Sequence, residues 1–129
     1  MYNLIELDDR YNYSLAVEYF VNSNIPNYEF VRHLTNDRTE LHSQKCLWQG
    51  FAEVLVKRGL PKVKDVIKEI LMWYQDANWP GFITIHNFIF EHKEELKDEI
   101  LTAYQEAKLT NDYSWIEWLE EFLGVQLWT

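Results

Sequence analysis

Residues 61–74, PKVKDVIKEILMWY, are the stretch of this sequence that most clearly predicts its fold. Pro61 suits the first turn of a helix, because its fixed φ is helical and its missing amide hydrogen is not needed there. The apolar side chains that follow recur three or four positions apart, as on one face of an α-helix: Val63, Val66, Ile67, Ile70, Leu71 and Tyr74. The stretch therefore predicts an amphipathic helix that starts at Pro61 and buries one side.

The sequence before this stretch predicts three more helices. Residues 13–20 have apolar side chains at helical spacing, and a polar run before Pro26 closes the segment. After Pro26 we expect a short helix, although residues 28–34 could also form a strand. A longer helix follows, which Thr39 can cap and which Gly59 ends.

Three further helices are predicted after residue 74. Pro80 marks the start of the fifth helix, whose residues 82–90 are apolar nearly all round. Such a helix should be central and covered on several sides, but its β-branched residues leave a buried strand as an alternative. Residues 96–107 predict a sixth, amphipathic helix. The seventh runs from a cap at Asp112 to a stop at Gly124.

Few breaks separate these segments, since glycine and proline together number only 7 (4 Gly, 3 Pro). We therefore predict an all-α single domain over residues 1–129, a short HEAT-like solenoid of antiparallel helix hairpins with about seven helices. Residues 1–60 would supply the N-terminal helices, and residues 61–124 two stacked hairpins. The apolar tail, residues 125–128, should pack back on the domain.

The charge of the chain limits its partners. With 21 acidic and 12 basic side chains, the formal net charge is −9, so the chain should repel nucleic acid and anionic membranes. No signal sequence or membrane-spanning run is evident, and we expect a cytoplasmic protein. Cys46 is the only cysteine, which excludes an internal disulfide.

The charge is also unevenly distributed. Residues 91–129 carry ten acids and three bases, whereas residues 32–76 carry six acids and eight bases. The acidic C-terminal third is the kind of surface that a basic partner protein requires. We interpret the basic side chains in the middle as the solvated faces of two helices: Lys57, Arg58, Lys62, Lys64 and Lys68.

Motifs for catalysis are not evident in the sequence. Its glycines are isolated, so no phosphate-binding loop is predicted, and its four histidines never stand three or four positions apart. We expect no cofactor, no metal and no enzymatic activity. The alternative is an enzyme or small-ligand binder with a pocket around His86 and Asn87, which lie in the most apolar segment.

Two stretches carry a resemblance to a known family. Residues 67–80, IKEILMWYQDANWP, and residues 112–118, DYSWIEW, resemble small bacterial proteins catalogued as domain of unknown function 5071. The resemblance covers about residues 61–120. It implies an all-helical, HEAT-like fold and brings no catalytic residues. Some small acidic proteins of this general kind are immunity proteins encoded beside bacterial toxins.

The residues that carry the resemblance have two interpretations. Asp76 or Asn78 could cap the helix at Pro80, and the tryptophans could fill the junction between two helices. Alternatively, they form a partner-binding surface, because tryptophan is enriched among interface hot spots. The candidate partner-binding residues are Trp73, Asp76, Asn78, Trp79, Glu117, Trp118 and Glu121. We therefore expect a non-catalytic protein-interaction module, whose partner is another protein such as a basic toxin.

Overall fold

The computed structural model describes residues 13–35 and 45–128. This part of the chain forms α-helices and short 3₁₀ turns and contains no strand, which confirms the predicted all-α class. The α-helices are α1 (Tyr13–Asn22), α2 (Trp48–Arg58), α3 (Leu60–Val63), α4 (Ile67–Ile70), α5 (Phe82–Glu91), α6 (Lys97–Leu109) and α7 (Tyr113–Leu123). The 3₁₀ turns are Asn27–Phe30, Arg32–Leu34, Lys45–Leu47, Lys64–Val66, Leu71–Gln75 and Val125–Leu127.

The segment after Pro26 is neither the predicted α-helix nor the alternative strand. It forms two 3₁₀ turns, which meet at Val31, where the backbone leaves the helical region (φ −127°). The Asn27 side chain is drawn inwards, since its Nδ2 donates to the Lys62 carbonyl and to Asp65 Oδ1, both at 2.7 Å. Contacts with a distant segment therefore determine the conformation here.

Helix α2 ends as the sequence predicts. Gly59 follows its last residue with φ +89°, and the Gly59 amide donates to the carbonyls of Leu55 and Val56. Thr39, the predicted cap of this helix, lies outside the described residues. The described helix begins at Trp48, directly after a 3₁₀ turn.

The segment from Pro61 to Tyr74 does not form the predicted continuous α-helix, although the predicted face is buried. Residues 60–75 alternate between α3, α4 and two 3₁₀ turns, because the backbone leaves helical geometry at Val63 and again at Val66 (φ −123°). β-Branched side chains such as valine favour such departures. The six apolar side chains that share a predicted face are all buried: Val63, Val66, Ile67, Ile70, Leu71 and Tyr74.

Helix α5 confirms a helix over residues 82–90 and corrects two details. It begins at Phe82 after a left-handed Gly81, and Pro80 precedes this cap instead of starting the helix. It is also not covered on several sides, since Ile83 is 62% exposed and Phe90 47% exposed. One face of α5 is therefore solvated.

The last two helices follow the prediction closely. Asp112 caps α7 through its Oδ1, which accepts from the Trp115 amide at 3.1 Å, and Gly124 ends the helix with φ +65°. Helix α7 packs against α6 and against the turn Leu71–Gln75, while α2 packs against both α1 and α5. The arrangement of these helices as a solenoid of stacked hairpins stays a prediction.

Arg58 joins the end of α2 to the end of α1. Its guanidinium donates to the Phe20 carbonyl (2.6 Å), the Val21 carbonyl (3.3 Å) and Asn27 Oδ1 (2.6 Å). The two carbonyls belong to the last turn of α1, where no intrahelical donor is available. Burial lowers the pKa of the guanidinium. The interpretation of Arg58 as part of a solvated basic face was therefore wrong, because the pattern of charge does not show which base turns inwards.

Replacing Arg58 by methionine should lower the free energy of unfolding by about 2–4 kcal/mol, since the hydrogen bonds that its charged guanidinium donates to Phe20, Val21 and Asn27 are lost. Urea denaturation followed by circular dichroism measures the change. Lys57→Met is the matched control, because Lys57 is exposed, and it should change stability by less than about 0.5 kcal/mol. Equal effects of the two substitutions would contradict the role of Arg58.

Gly81→Ala should destabilise the protein by about 2–4 kcal/mol, from left-handed strain and overpacking together. A Cβ at this position would lie 2.9 Å from Ala52 Cβ and 3.0 Å from the Trp48 carbonyl oxygen. At Gly124, also left-handed, the nearest atom would be Leu127 Cδ1 at 3.9 Å. Gly124→Ala should therefore cost only about 1 kcal/mol. Thermal unfolding of both variants tests the difference, and a smaller loss at residue 81 would refute it.

Candidate interaction surface

The turn between α4 and α5 contains four of the candidate residues, and Trp73 lies innermost. Its ring is completely buried, 4.8 Å from the His33 ring between centroids, and its Nε1 donates to the Pro80 carbonyl at 2.9 Å. The indole therefore closes the turn from inside. A buried side chain with its donor satisfied offers no surface to a partner.

The other residues of this turn are more accessible. Asp76 Oδ1 accepts from the Asn78 amide at 2.8 Å, so Asp76 stabilises the turn and does not cap α5. Asn78 is exposed. Trp79 is half-buried, and its ring meets the Trp48 ring edge-on at 5.2 Å. Asp76, Asn78 and one side of Trp79 are thus the parts of the turn that a partner could touch.

The remaining candidates lie on α7. Trp118 is half-buried and contacts the Phe122 ring at 5.7 Å, whereas Glu117 and Glu121 are exposed. They border a groove of about 570 Å³ at the C-terminal end of the helix. Its lining residues are Glu117, Trp118, Glu120, Glu121, Gly124, Gln126 and Leu127.

The first turn of α7 links the two sets of candidates along the chain. Ser114 Oγ donates to the Gln75 carbonyl at 2.8 Å, which places the first turn of α7 beside the turn at residues 76–79. The Trp115 Nε1 donates to the Leu71 carbonyl at 3.2 Å and anchors the same turn of α7. The groove lies further along α7, towards its C-terminal end.

Leu127 is a surface residue that the sequence reasoning missed. The tail was expected to pack back on the domain, and Val125 does so with no exposed surface. Leu127 instead is 82% exposed at the edge of the groove. A 3₁₀ turn follows Gly124, and its three residues per turn point in three different directions, so that Val125 faces the core while Gln126 and Leu127 face solvent. The apolar composition of the tail gave no signal of which residue faces the core.

A family model described as Domain of unknown function (DUF5071) matches residues 49–129, more than half of the chain. The chain belongs to this family. The match extends the resemblance seen at residues 61–120 to most of α2 and to the C-terminus. It includes both the turn at residues 76–79 and the groove on α7. No curated protein and no solved structure matches the chain.

Within this member of the DUF5071 family, His86 is held by aromatic neighbours. Its Nδ1 lies 2.9 Å from the Tyr74 hydroxyl, and its ring stacks on Phe82, with Phe122 5.0 Å away between centroids. Burial lowers the pKa of His86 and raises that of Tyr74. The neighbouring Asn87 is exposed. The side-chain contacts of His86 are thus those of a packed, neutral imidazole.

His33, which the sequence analysis did not single out, is completely buried. Its ring lies 4.6 Å from the Trp48 ring and 5.0 Å from the Phe51 ring, between centroids. Over residues 13–35 and 45–128 no three His, Cys, Asp or Glu residues are grouped so that they could hold a metal ion. Among the same residues no helix has the length and apolar character needed to cross a membrane.

His86 should make stability depend on pH. Because the folded state disfavours its charged form, the unfolded chain binds the proton more readily as the pH falls below about 6.5. The contribution of His86 to the free energy of unfolding is therefore complete above that pH, and it is lost as the pH falls towards the lowered pKa of the folded state. His86→Gln, which keeps an acceptor for Tyr74, should flatten the decline in unfolding free energy between about pH 7 and about pH 5.

Tyr74→Phe is the control for this experiment, because it removes the hydroxyl and leaves the imidazole half-buried against Phe82 and Phe122. It should lower stability by about 1 kcal/mol at every pH and leave the decline in place. Chemical denaturation over a pH series measures both variants. A decline that persists unchanged in His86→Gln would show that His86 is not its source.

Proposed function

We propose that this chain is a non-catalytic protein-interaction module, whose partner binds the groove at the C-terminal end of α7. One observation carries the proposal: half-buried Trp118 and exposed Leu127 border the same groove as Glu117 and Glu121. Protein interfaces commonly have an apolar core surrounded by a polar rim, and the two apolar and two acidic side chains match this arrangement.

The groove has the features that favour binding at a small site. Tryptophan is prominent among hot-spot residues, because its large ring loses much hydrated surface when a partner covers it. A leucine that is 82% exposed adds apolar area that water covers unfavourably in the free protein. The groove volume of about 570 Å³ can accept several partner side chains.

The charge of this region supports a basic partner. Residues 91–129, which include the groove, carry ten acids and three bases. Such a surface attracts cationic proteins and speeds their association, while it repels nucleic acid and anionic lipid. In its narrower form, the proposal is that the partner is a basic bacterial toxin and that this chain is the immunity protein that neutralises it in the cytoplasm.

The contacts of His86 support the non-catalytic part of the proposal. A general base needs a ring nitrogen within reach of a substrate proton. His86 Nδ1 faces the Tyr74 hydroxyl, and the ring is stacked against Phe82 and tilted against Phe90 at 5.7 Å. His86 is thus positioned by packing against aromatic rings. None of these contacts favours the alternative, a catalytic pocket at His86 and Asn87.

Leu127→Asp should reduce recovery of the partner at least about tenfold, because a carboxylate replaces an apolar contact and adds to the negative charge. The measurement is affinity purification of the tagged chain from its own cells, with the partner identified by mass spectrometry. Leu109→Asp is the matched control, since Leu109 is 83% exposed on α6 and borders no part of this groove. It should leave recovery unchanged.

The narrower form is tested by the gene next to that of this chain. If it encodes a basic toxin, co-expression of the wild-type chain should restore growth of cells that express the toxin, and Leu127→Asp should not. A partner whose recovery is equal with both leucine variants would refute the groove as its binding site. Growth that Leu127→Asp restores as well as the wild-type chain does would refute the groove as the site of neutralisation.

A further inference from the structure

Helix α7 presents two faces of opposite character. Its buried face consists of Trp115, Leu119 and Leu123, at i, i+4 and i+8. Glu117 and Glu121 are exposed and also four residues apart, so their side chains lie one turn apart along the helix, roughly 6 Å. Within residues 13–35 and 45–128, no ion pair joins either carboxylate to a basic side chain.

The carboxylate between them is already engaged. Glu120 Oε2 accepts from the Tyr104 hydroxyl at 2.7 Å, and this hydrogen bond is the largest cause of the raised pKa of Tyr104. Glu120 therefore stabilises the contact between α6 and α7. Glu117 and Glu121 are left as the acids that face outwards at the groove.

The position of these acids on the helix is electrostatically unfavourable. The C-terminal end of a helix carries partial negative charge, which favours basic side chains there. The last turn of α7 contains no basic residue and instead includes Glu120 and Glu121. A cationic group placed against this end would be attracted by the carboxylates and by the helix dipole together.

We propose that the groove face of α7, defined by Glu117, Trp118, Glu121 and Leu127, binds a basic amphipathic helix of the partner. Two Lys or Arg side chains of that helix, four positions apart, pair with Glu117 and Glu121. An apolar side chain on the same face of the partner helix contacts Trp118 and Leu127. This inference rests on the proposed function, because it names the part of the partner that enters the groove.

A helix fits this face better than an extended segment does. Basic residues at i and i+4 on a helix are spaced by one turn, which matches the spacing of Glu117 and Glu121. A helix also satisfies its own backbone hydrogen bonds. An extended segment gains affinity by pairing with a sheet edge, and the described chain offers none, since it contains no strand.

The test uses two synthetic helical peptides of identical composition, each of about 18 residues. In the patterned peptide, lysines recur every four positions beside a leucine stripe, and in the scrambled peptide the same lysines are spread round the helix. Fluorescence anisotropy of the labelled peptides with the full chain measures binding. We expect the patterned peptide to bind at least roughly tenfold more tightly than the scrambled one, and to weaken as salt is raised.

The double variant Glu117→Gln/Glu121→Gln should weaken binding of the patterned peptide roughly tenfold. The matched control is Glu94→Gln/Asp98→Asn, which neutralises two exposed acids at the same four-residue spacing on another part of the chain. It should weaken binding of the patterned peptide by less than about twofold, because only the net charge of the protein has changed. Circular dichroism confirms that both variants fold.

Equal binding of the two peptides, no binding of either, or equal effects of the two double variants would overturn this inference. The proposed function can survive that result: a partner lost with Leu127→Asp but recovered fully with Glu117→Gln/Glu121→Gln would bind the groove by other contacts. If Leu127→Asp leaves recovery of the cellular partner unchanged, the proposed function fails, and selective binding of the patterned peptide then shows only that the groove can hold a basic helix.

Discussion

The close approach of the backbone at Gly81 to helix α2 is the constraint on which the C-terminal half depends. A Cβ there would lie 2.9 Å from Ala52 Cβ, so any other residue would have to push the chain away from α2. The Pro80 carbonyl, one residue earlier, accepts a hydrogen bond from Trp73 Nε1, whose indole is completely buried. The Leu71 carbonyl, two residues before Trp73, accepts from Trp115 Nε1, so the first turn of α7 is attached to the same segment.

The helices could be predicted because the buried face of a helix places apolar residues three or four positions apart, and this spacing is visible in the sequence. The cap at Asp112 and the stop at Gly124 were predictable for a similar reason, since each acts on its own neighbours in the chain. The interruptions in residues 60–75 were not. Part of their cause is Asn27, whose side chain bonds the Lys62 carbonyl from 35 residues away in sequence. Long-range hydrogen bonds of this kind leave no periodic signal.

The candidate site was predictable to a smaller extent. Trp118 was among the candidate partner-binding residues, and the structure finds it half-buried beside the groove. Sequence could not separate Trp73, which is completely buried, from Trp79, which is partly accessible, because an indole suits a core and an interface equally. The exposure of Leu127 depends on the direction of the chain after Gly124, which composition does not encode.

The contact between Arg58 and the end of α1 has a consequence for how relatives of this chain can diverge. Arg58 lies within the part that matches the family model, whereas Phe20 and Val21 lie before it. The atoms that it recognises in those two residues are main-chain carbonyls, which every amino acid possesses. Substitutions along α1 can therefore accumulate without loss of this attachment, as long as the helix ends at the same place. A relative could share this architecture while its first helix shows no detectable similarity in sequence.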